Sequence, residues 1–451
     1  MLQDKKVTVV GSGISGIAAV RLLGKHGAQI TLYDGNKAMD IEETVKKTGN
    51  NVKVVCGEFT KDLMQNTELL VLSPGVPTDL DFVLECKERG IPVWGEIELA
   101  YQFEKGMLVG ITGTNGKTTT TALTGEIMKQ YFNEVFVVGN IGIPYTEMVE
   151  ETTKQSVTVA ELSSFQLETV QDDFCPEVSM ILNLTPDHLN RHYTMENYGR
   201  AKLNVTIHQR AEQTCILNYE DAMLREFAKE LSCKILWFSS EHKLKDGLYL
   251  EDDRIIYAQN GIDKEICRTS ELNIIGKHNY ENAMAAIGAA VCVGVPLEAI
   301  KKGLTGFHAV EHRIEYVATK KGVAYYNDSK GTNPDAAIKA IQAMSRPTLL
   351  IGGGYDKGSE YEEWIAAFDN KVKHFVLIGQ TKEKIAETAK KMGVPSVVLK
   401  DTFEEALQFC EENAEAGDAV LLSPACASWG MFKNYEERGR VFKEYVNRIV
   451  E

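Results

Sequence analysis

Gly113-Thr114-Asn115-Gly116-Lys117-Thr118-Thr119 sets two glycines, a lysine and a run of hydroxyls where an apolar stretch (107–111) gives way to a helix-like one (119 to about 131). Strand, glycine-rich turn, Lys-Thr, helix is the order a phosphate-binding loop requires. Backbone N–H groups freed by the glycines point at phosphate oxygens, and the helix N-terminus adds its positive dipole end. Lys117 would reach the β- and γ-phosphates, and the Thr118 hydroxyl would hold Mg²⁺. The strict G-x-x-x-x-G-K-[ST] spacing fails, because Ile111 stands where the first glycine belongs, with Gly110 and Gly113 on either side. A surface turn would explain the composition but not its place between strand and helix, so the stretch reads as a shortened ATP loop.

Other candidates gather at the ends of later apolar runs. Glu161 follows the run 156–160 and is a candidate Mg²⁺ ligand, since hard cations take carboxylate oxygens. His188 follows the run 178–182 and could be a second ligand, although a lone histidine is more often structural. His188 and His192 stand at i,i+4 without an H-E-x-x-H context, which sets zinc aside. Lys202 lies on a helix-like stretch (195–209) and reads as a surface lysine of an amphipathic helix. Asn279 and Asn282, near the start of another helix, suit capping and base recognition equally.

Toward the N-terminus, Gly11-Ser12-Gly13-Ile14-Ser15-Gly16 follows the run 7–10 and precedes a helix to about His26, and a second strand (29–33) ends at Asp34. This is a dinucleotide-binding pattern. Alone it predicts NAD, yet the same turn cradles any diphosphate. A later run (69–72) enters a second tight turn, Ser73-Pro74-Gly75-Val76-Pro77. For Gly16 and Gly75, close packing or turn geometry accounts for the residue as well as ligand contact does. Toward the C-terminus, Asp328-Ser329-Lys330-Gly331-Thr332, Gly352 to Lys357, and Ser423 to Trp429 each follow a short apolar run. Their lysines and hydroxyls suit an anionic substrate, while Ser423 reads more simply as a cap or turn residue.

Positioning these turns takes strands alternating with helices, an α/β chain. Its 451 residues suffice for two or three domains. The expected division is a Rossmann-like domain over 1–98, a central P-loop ATPase-like domain with a mostly parallel sheet over 99–308, and a second Rossmann-like domain over 309–451, with 307–313 as a linker. A hairpin is expected at 248–258. The uncharged run 283–297 is too short to span a bilayer and reads as a buried helix. Forty-nine basic against 64 acidic residues leave a net charge of −15, which argues against a nucleic-acid surface. Nine scattered cysteines without a C-x-x-C pair fit reduced thiols. A cytoplasmic monomer without signal peptide, membrane segment or nucleic-acid partner is expected.

Together these segments resemble the Mur ligases, the ATP-dependent amide-forming enzymes of peptidoglycan precursor synthesis, over essentially the whole chain. The likeness rests on the loop 113–120, Asn140 to Pro144, Glu161 to Glu168, His278 to Asn282, His312-Arg313, Asp328-Ser329-Lys330, and 423–429 with 432–438. Within the family the chain is most similar to the branch adding D-glutamate to UDP-N-acetylmuramoyl-L-alanine. The L-alanine-adding branch has His where Asn115 stands, and the Asp-Asn-Pro-Arg motif of the diamino-acid-adding branch is absent. Folate-polyglutamate ligases lack a Rossmann-like domain ahead of the ATP loop. The shortened glycine spacing is the family's own form.

The resemblance implies that ATP phosphorylates the substrate carboxylate and that the D-glutamate amine attacks the resulting acyl phosphate. It assigns ATP contacts to Gly113, Thr114, Asn115, Gly116, Lys117, Thr118, Thr119, Asn282, Arg313 and Asp328. It gives one Mg²⁺ to Thr118 and Glu161 and a second to His188 and Lys202, with Lys202 carbamylated, because an ammonium would repel the cation. Lys117, His188 and Lys202 become the catalytic set. Asn140 would face the sugar or the reacting group, and Ser15, Asp34, Ser73 and Gly75 the uridine diphosphate. Lys330, Thr332, Lys357, Ser428 and Tyr435 would place D-glutamate. Three readings compete with this one: a sibling ligase using another amino acid, an NAD-dependent oxidoreductase, and a nucleotide-gated protein that hydrolyses ATP slowly. The oxidoreductase leaves the ATP loop and Glu161 unexplained.

Overall fold

The computed structural model describes residues 2–49, 51–140, 142–308 and 310–450. Ile141 of the Asn140 to Pro144 motif and Ala309 of the linker lie outside the described residues. Among the described residues the strands form three sheets. The first holds β1 (Lys6–Val10), β2 (Gln29–Asp34), β3 (Lys53–Cys56), β4 (Leu69–Leu72) and β5 (Val93–Gly95), all parallel, in the order β3-β2-β1-β4-β5. Strand order reverses between β1 and β4, and the turns carrying Gly11–Gly16 and Ser73–Pro77 leave the carboxyl ends of those two strands. That is where open α/β sheets bind ligands.

The second sheet holds β6 (Met107–Thr112), β7 (Val135–Gly139), β8 (Val157–Glu161), β9 (Val178–Ile181), β10 (Thr214–Asn218), β11 (Lys234–Ser239), β12 (Gly247–Glu251), β13 (Arg254–Gln259) and β14 (Ile262–Arg268), in the order β14-β13-β12-β11-β10-β9-β6-β8-β7. It is parallel except at β13 and β14, which are joined antiparallel to β12 and to each other. β6 lies between β8 and β9, so the turns after these three neighbours share one end of the sheet. Every residue of β8 and β9 is buried, as continuous apolar runs in a parallel sheet covered on both faces should be.

The third sheet holds β15 (Glu315–Lys320), β16 (Val323–Asn327), β17 (Thr348–Gly353), β18 (Val372–Ile378), β19 (Val397–Leu399) and β20 (Ala419–Leu422), in the order β15-β16-β20-β17-β18-β19, parallel apart from β15. The turns starting at Asp328, Ser423 and Gly354 therefore leave three adjacent strands, β16, β20 and β17.

The chain divides into two compact units, Met1–Arg268 with Glu281–Thr305, and Thr269–Tyr280 with Gly306–Glu451. In the first unit one apolar core joins residues packed on both sheets, among them Leu23, Ile97, Leu108, Tyr145 and Phe174. Elements the sequence reading did not anticipate include β3, β7, β19 and the helix Ile41–Thr48. The stretch 195–209 is a shorter helix, Met195–Leu203, followed by a 3-10 turn, Asn204–Thr206. The apolar run 283–297 closes the helix Lys277–Cys292; it stops where Gly294 takes φ 80° and Pro296 follows. Among the described residues no helix is long and apolar enough to cross a membrane.

Candidate active site

The loop between β6 and the helix Lys117–Met128 is built around two glycines in the left-handed region, Gly113 (φ 145°) and Gly116 (φ 86°). A Cβ at Gly116 would stand 2.3 Å from Asn282 Oδ1, so the loop and the helix Lys277–Cys292 touch where only glycine fits. The turn after β9 braces the loop from its other side. Thr114 N donates to Asn183 O (2.9 Å), Asn115 N to Asn183 Oδ1 (2.8 Å), and Thr185 N to Thr114 Oγ1 (3.0 Å). Tyr198 OH donates to the same Thr114 hydroxyl at 3.2 Å. Asn183, Thr185 and Tyr198 thus shape the loop without having been singled out in the sequence. Their one signal was position: Asn183 and Thr185 stand just past an apolar run.

Lys117 bends back over its own loop, donating to Gly113 O and Thr114 O, both at 2.8 Å. Lys202 donates to the same Gly113 carbonyl at 2.8 Å, and its ammonium lies 4.7 Å from the Tyr198 ring centroid. Lys202 is 1% exposed. The expectation of a surface lysine is therefore corrected: the helix Met195–Leu203 turns this position inward beneath the loop. Burial, and then repulsion from Lys117, push the Lys202 amine well below the ordinary lysine value. The pattern of one amphipathic helix could not reveal this, because the buried face is set by what the helix packs against.

Glu161 closes β8 and is buried. Its Oε2 accepts from the Thr118 hydroxyl (3.0 Å) and its Oε1 from Asn140 Nδ2 (2.9 Å). Among the described residues no lysine, arginine or histidine forms an ion pair with it. A buried carboxylate bonded only by neutral donors, beside a hydroxyl, suits a hard divalent cation. His188 takes a left-handed conformation (φ 52°) with a half-exposed ring, 3.5 Å from the Asp187 carboxylate and 4.8 Å from the Phe165 ring. Burial and the charges of Lys202 and Lys117 hold its imidazole below the usual value against the pull of Asp187, which leaves a neutral ring able to ligate. His192 is engaged by Ser164 (3.0 Å) and Glu168 (3.4 Å).

In the first sheet, Asp34 Oδ2 accepts from both the backbone N–H (2.9 Å) and the hydroxyl (2.6 Å) of Ser12, and Oδ1 from Asn36 N (2.9 Å). Burial works against ionisation, but these bonds hold the carboxyl below its usual value. Ser73 Oγ lies 3.4 Å from Gly11 O, which joins the two turns. Gly16 is a packing residue, since a Cβ there would stand 1.9 Å from Gly11 O. Gly75 is exposed, and a Cβ there would meet nothing within 4 Å, so packing does not account for it. Ser15 lies half-buried in the first turn of the helix Ile14–Lys25.

In the second unit, Asp328 is buried between two turns. Its Oδ2 accepts from Ser423 Oγ at 2.8 Å and its Oδ1 from Ile314 N at 3.3 Å. Ser423 is thus a partner of that carboxyl and ties the turn after β20 to the turn after β16. Burial pushes Asp328 up to about 7. Arg313 has a buried Nε with no hydrogen-bond partner among the described residues, and such a group is costly unless something pairs with it. Lys330 stands 5.5 Å from the Tyr435 ring centroid and Lys357 5.5 Å from that of Trp429. The buried Arg438 ties the turns together, donating from Nε to Ser329 Oγ (2.9 Å), from Nη2 to Ser329 O (2.7 Å) and from both Nη atoms to Cys426 O (3.3 Å). Thr332 and Ser428 flank the same turns, with Thr332 half-buried and Ser428 buried. Of the two asparagines left open, Asn279 donates to Ile275 O (2.8 Å) and shapes its own helix start, while Asn282 meets the phosphate loop.

The first unit thus gathers Gly113 to Thr119, Asn140, Glu161, His188, Lys202 and Asn282 at one end of the second sheet, and Ser15, Asp34, Ser73 and Gly75 at one end of the first. The second unit gathers Arg313, Asp328, Lys330, Thr332, Lys357, Ser428 and Tyr435 around the turns of the third sheet. The first unit thus carries the strand–glycine loop–helix arrangement of an α/β phosphate-loop protein, and in both units parallel strands end in polar turns.

Comparison with known proteins agrees over the whole length. Residues 5–95 match the Mur ligase MurD-like N-terminal domain, 111–290 the Mur ligase middle domain, and 312–426 the Mur ligase glutamate ligase domain. A UDP-N-acetylmuramoylalanine--D-glutamate ligase of Lachnoclostridium phytofermentans is 58% identical over 447 residues, covering 99% of this chain and 98% of its own. The protein of that name from Lachnospira eligens is 55% identical, covering 99% and 100%. Among solved structures, UDP-N-acetylmuramate-alanine ligase from Thermotoga maritima shares the fold with a TM-score of 0.59 at 18% identity, covering 98% of this chain and 99% of its own. MurF from Acinetobacter baumannii does so with 0.61 at 18%, covering 98% and 94%. The chain belongs to the Mur ligase family.

Proposed function

We propose that this protein is an ADP-forming ligase that joins D-glutamate to UDP-N-acetylmuramoyl-L-alanine, a step of peptidoglycan precursor synthesis. The observation that carries the chemistry is the convergence of Lys117, Thr118, Glu161 and Lys202 on one phosphate loop. The substrate pair rests on relatives of that name at 58% and 55% identity over nearly the full chain. An NAD-dependent oxidoreductase would leave the phosphate loop and the buried Glu161 without a role.

Three domains, 1–98, 99–308 and 309–451, divide the work. The first holds the uridine diphosphate through Ser15, Asp34, Ser73 and Gly75. The central one holds ATP, with Gly113 to Thr119 around its phosphates and Asn282 against the loop. Arg313 and Asp328 complete the nucleotide contacts, and the unpaired Arg313 Nε takes an anionic or carbonyl oxygen. Lys117 releases Gly113 O and Thr114 O to meet the β- and γ-phosphates. The substrate carboxylate attacks the γ-phosphorus, ADP leaves, and an acyl phosphate forms. The amine of D-glutamate, placed by Lys330, Thr332, Lys357, Ser428 and Tyr435, then attacks the acyl carbon, and inorganic phosphate leaves as the amide closes. The protein makes no covalent bond to substrate, so its contribution is positioning and charge neutralisation.

Thr118 and Glu161 would hold one Mg²⁺, and His188 with a carbamylated Lys202 would hold a second; such ions would supply neutralisation of phosphate charge. The depressed Lys202 amine is the form that adds CO₂. Asn140 donates to Glu161 and would face the sugar or the reacting group. The test is phosphate release from ATP and Mg²⁺ with UDP-N-acetylmuramoyl-L-alanine and each candidate amino acid in turn. Release with D-glutamate alone is expected. Release with another amino acid instead would move the protein to a sibling activity, and release indifferent to every amino acid would overturn the ligase reading.

A further inference from the structure

Two loops of the first unit, one given the sugar nucleotide and the other a metal ion in the proposed reaction, are bolted together by side chains to which that reaction gives no part. The helix Leu189–His192, directly after His188, carries Arg191. Its Nη2 donates to Glu168 Oε2 (2.6 Å) and its Nε lies 3.3 Å from Glu168 Oε1, while Nη2 also donates to Val76 O at 3.0 Å. Val76 belongs to the turn after β4 that holds Ser73 and Gly75. Glu168 further accepts from the Thr78 hydroxyl of that turn (3.4 Å) and lies 3.4 Å from His192 Nδ1. Tyr193 OH donates to Asp79 Oδ2 at 3.1 Å. The Arg191 guanidinium also lies 4.5 Å from the Phe165 ring centroid, and that ring packs on His188.

The side chains of Arg191 and Glu168 are each 14% exposed. A bidentate Arg–carboxylate pair fixes geometry at such a site, where a single lysine contact would not. Two residues of the segment, His188 (φ 52°) and Tyr193 (φ 66°), are non-glycine residues in the left-handed region. Such conformations persist only where surrounding contacts over-determine them.

We propose that Arg191 and Glu168 are positioning residues that set His188 against the sugar-nucleotide turn, so that filling of the turn after β4 and metal binding at His188 depend on one another. The inference rests on the proposed roles of His188, Ser73 and Gly75. Neither Arg191 nor Glu168 touches the reacting atoms; they act through the turn and through the histidine.

The test is steady-state phosphate release by wild type, Arg191→Met, Arg191→Lys and Tyr193→Phe, with sugar nucleotide, ATP and Mg²⁺ varied separately and the melting temperature recorded for each. For Arg191→Met the expected result is a KM for sugar nucleotide raised about tenfold or more, a higher Mg²⁺ requirement, and kcat reduced by up to about 10²-fold, the scale of an ångström-level misplacement. KM for ATP should stay within about twofold, and Arg191→Lys should recover part of the loss. Tyr193→Phe removes only the Asp79 bond, so it keeps the test open if Arg191→Met fails to fold; it should raise the sugar-nucleotide KM by a fewfold. Folded variants with unchanged sugar-nucleotide and Mg²⁺ dependence, or with ATP affected equally, overturn the inference while leaving the ligase reading in place. A wild-type protein that releases no phosphate with these substrates overturns both.

Discussion

A lysine enclosed beneath a glycine loop and set against a second lysine gives up its proton far more readily than one in water. The sign for Lys202 follows from linkage. Its folded value is depressed below the ordinary 10.5, so the unfolded chain binds more protons in the interval between, and stability rises with pH there. Replacing Lys202 by methionine should flatten that part of the stability–pH curve, read from urea midpoints between pH 6 and 9; an unchanged slope would show that the amine is not the titrating group. Lys202→Ala should lose activity and regain part of it with acetate or another short carboxylate, if an anionic oxygen at this place is what the site needs. Lys117→Ala should lower phosphoryl transfer by about 10³-fold, with the melting temperature recorded to separate that loss from unfolding. Near-normal turnover would contradict its phosphate role. Of these two lysines the sequence disclosed one. Lys117 stands in a motif whose mechanism is local, whereas Lys202 acquires its character from burial by elements far away in the chain. Only the family resemblance suggests a role for it; spacing does not.

At the scale of elements, local signals were legible where a buried apolar run gave way to polar turn residues. β4, β16 and β20 lie where their apolar runs ended, and the hairpin of β12 and β13 fell on its predicted residues. β3 was missed because its four residues are exposed or only half-buried, so its apolar run is short and its periodicity weak. The helix Ile41–Thr48 was missed for a related reason: Thr44 is its one buried residue. Glycine roles separate only with neighbours in view. Gly116→Ala should be doubly penalised, by about 1–2 kcal/mol for a left-handed Cβ and by collision with Asn282 Oδ1. Weakened ATP binding by at least about tenfold in calorimetric titration is expected, with a lowered melting temperature. Gly75→Ala, with open space around it, should leave stability unchanged within about 0.5 kcal/mol, so any loss of sugar-nucleotide affinity there reports on the ligand. Equal destabilisation by both substitutions would refute this distinction.

At the scale of the whole molecule, the grouping of cores decides how the chain unfolds. The first and second sheets share one apolar core, in which Leu23 and Ile97 belong to the same cluster as Leu108 and Phe174. Glu98 adds polar stitching by accepting from Gln171 N at 2.8 Å and Asp173 N at 3.3 Å, and Trp94 donates to Asp172 at 2.7 Å. The third sheet has its own cores, around Trp364 and Phe375 on one face and Leu349 and Phe442 on the other. A shared core makes residues 1–98 and the second sheet one cooperative unit, whereas residues around the third sheet make another. Differential scanning calorimetry should therefore resolve two transitions. Under the proposed function, sugar nucleotide binds the first unit and D-glutamate the second. A ligand at a hundredfold excess over its Kd stabilises the folded state by about 2.7 kcal/mol, which moves a transition of this size by about 5–10 °C. UDP-N-acetylmuramoyl-L-alanine should displace one transition and D-glutamate the other. A single transition displaced by both ligands would mean that the two cores unfold as one, and that the helix Lys277–Cys292, which carries residues of both units, couples them.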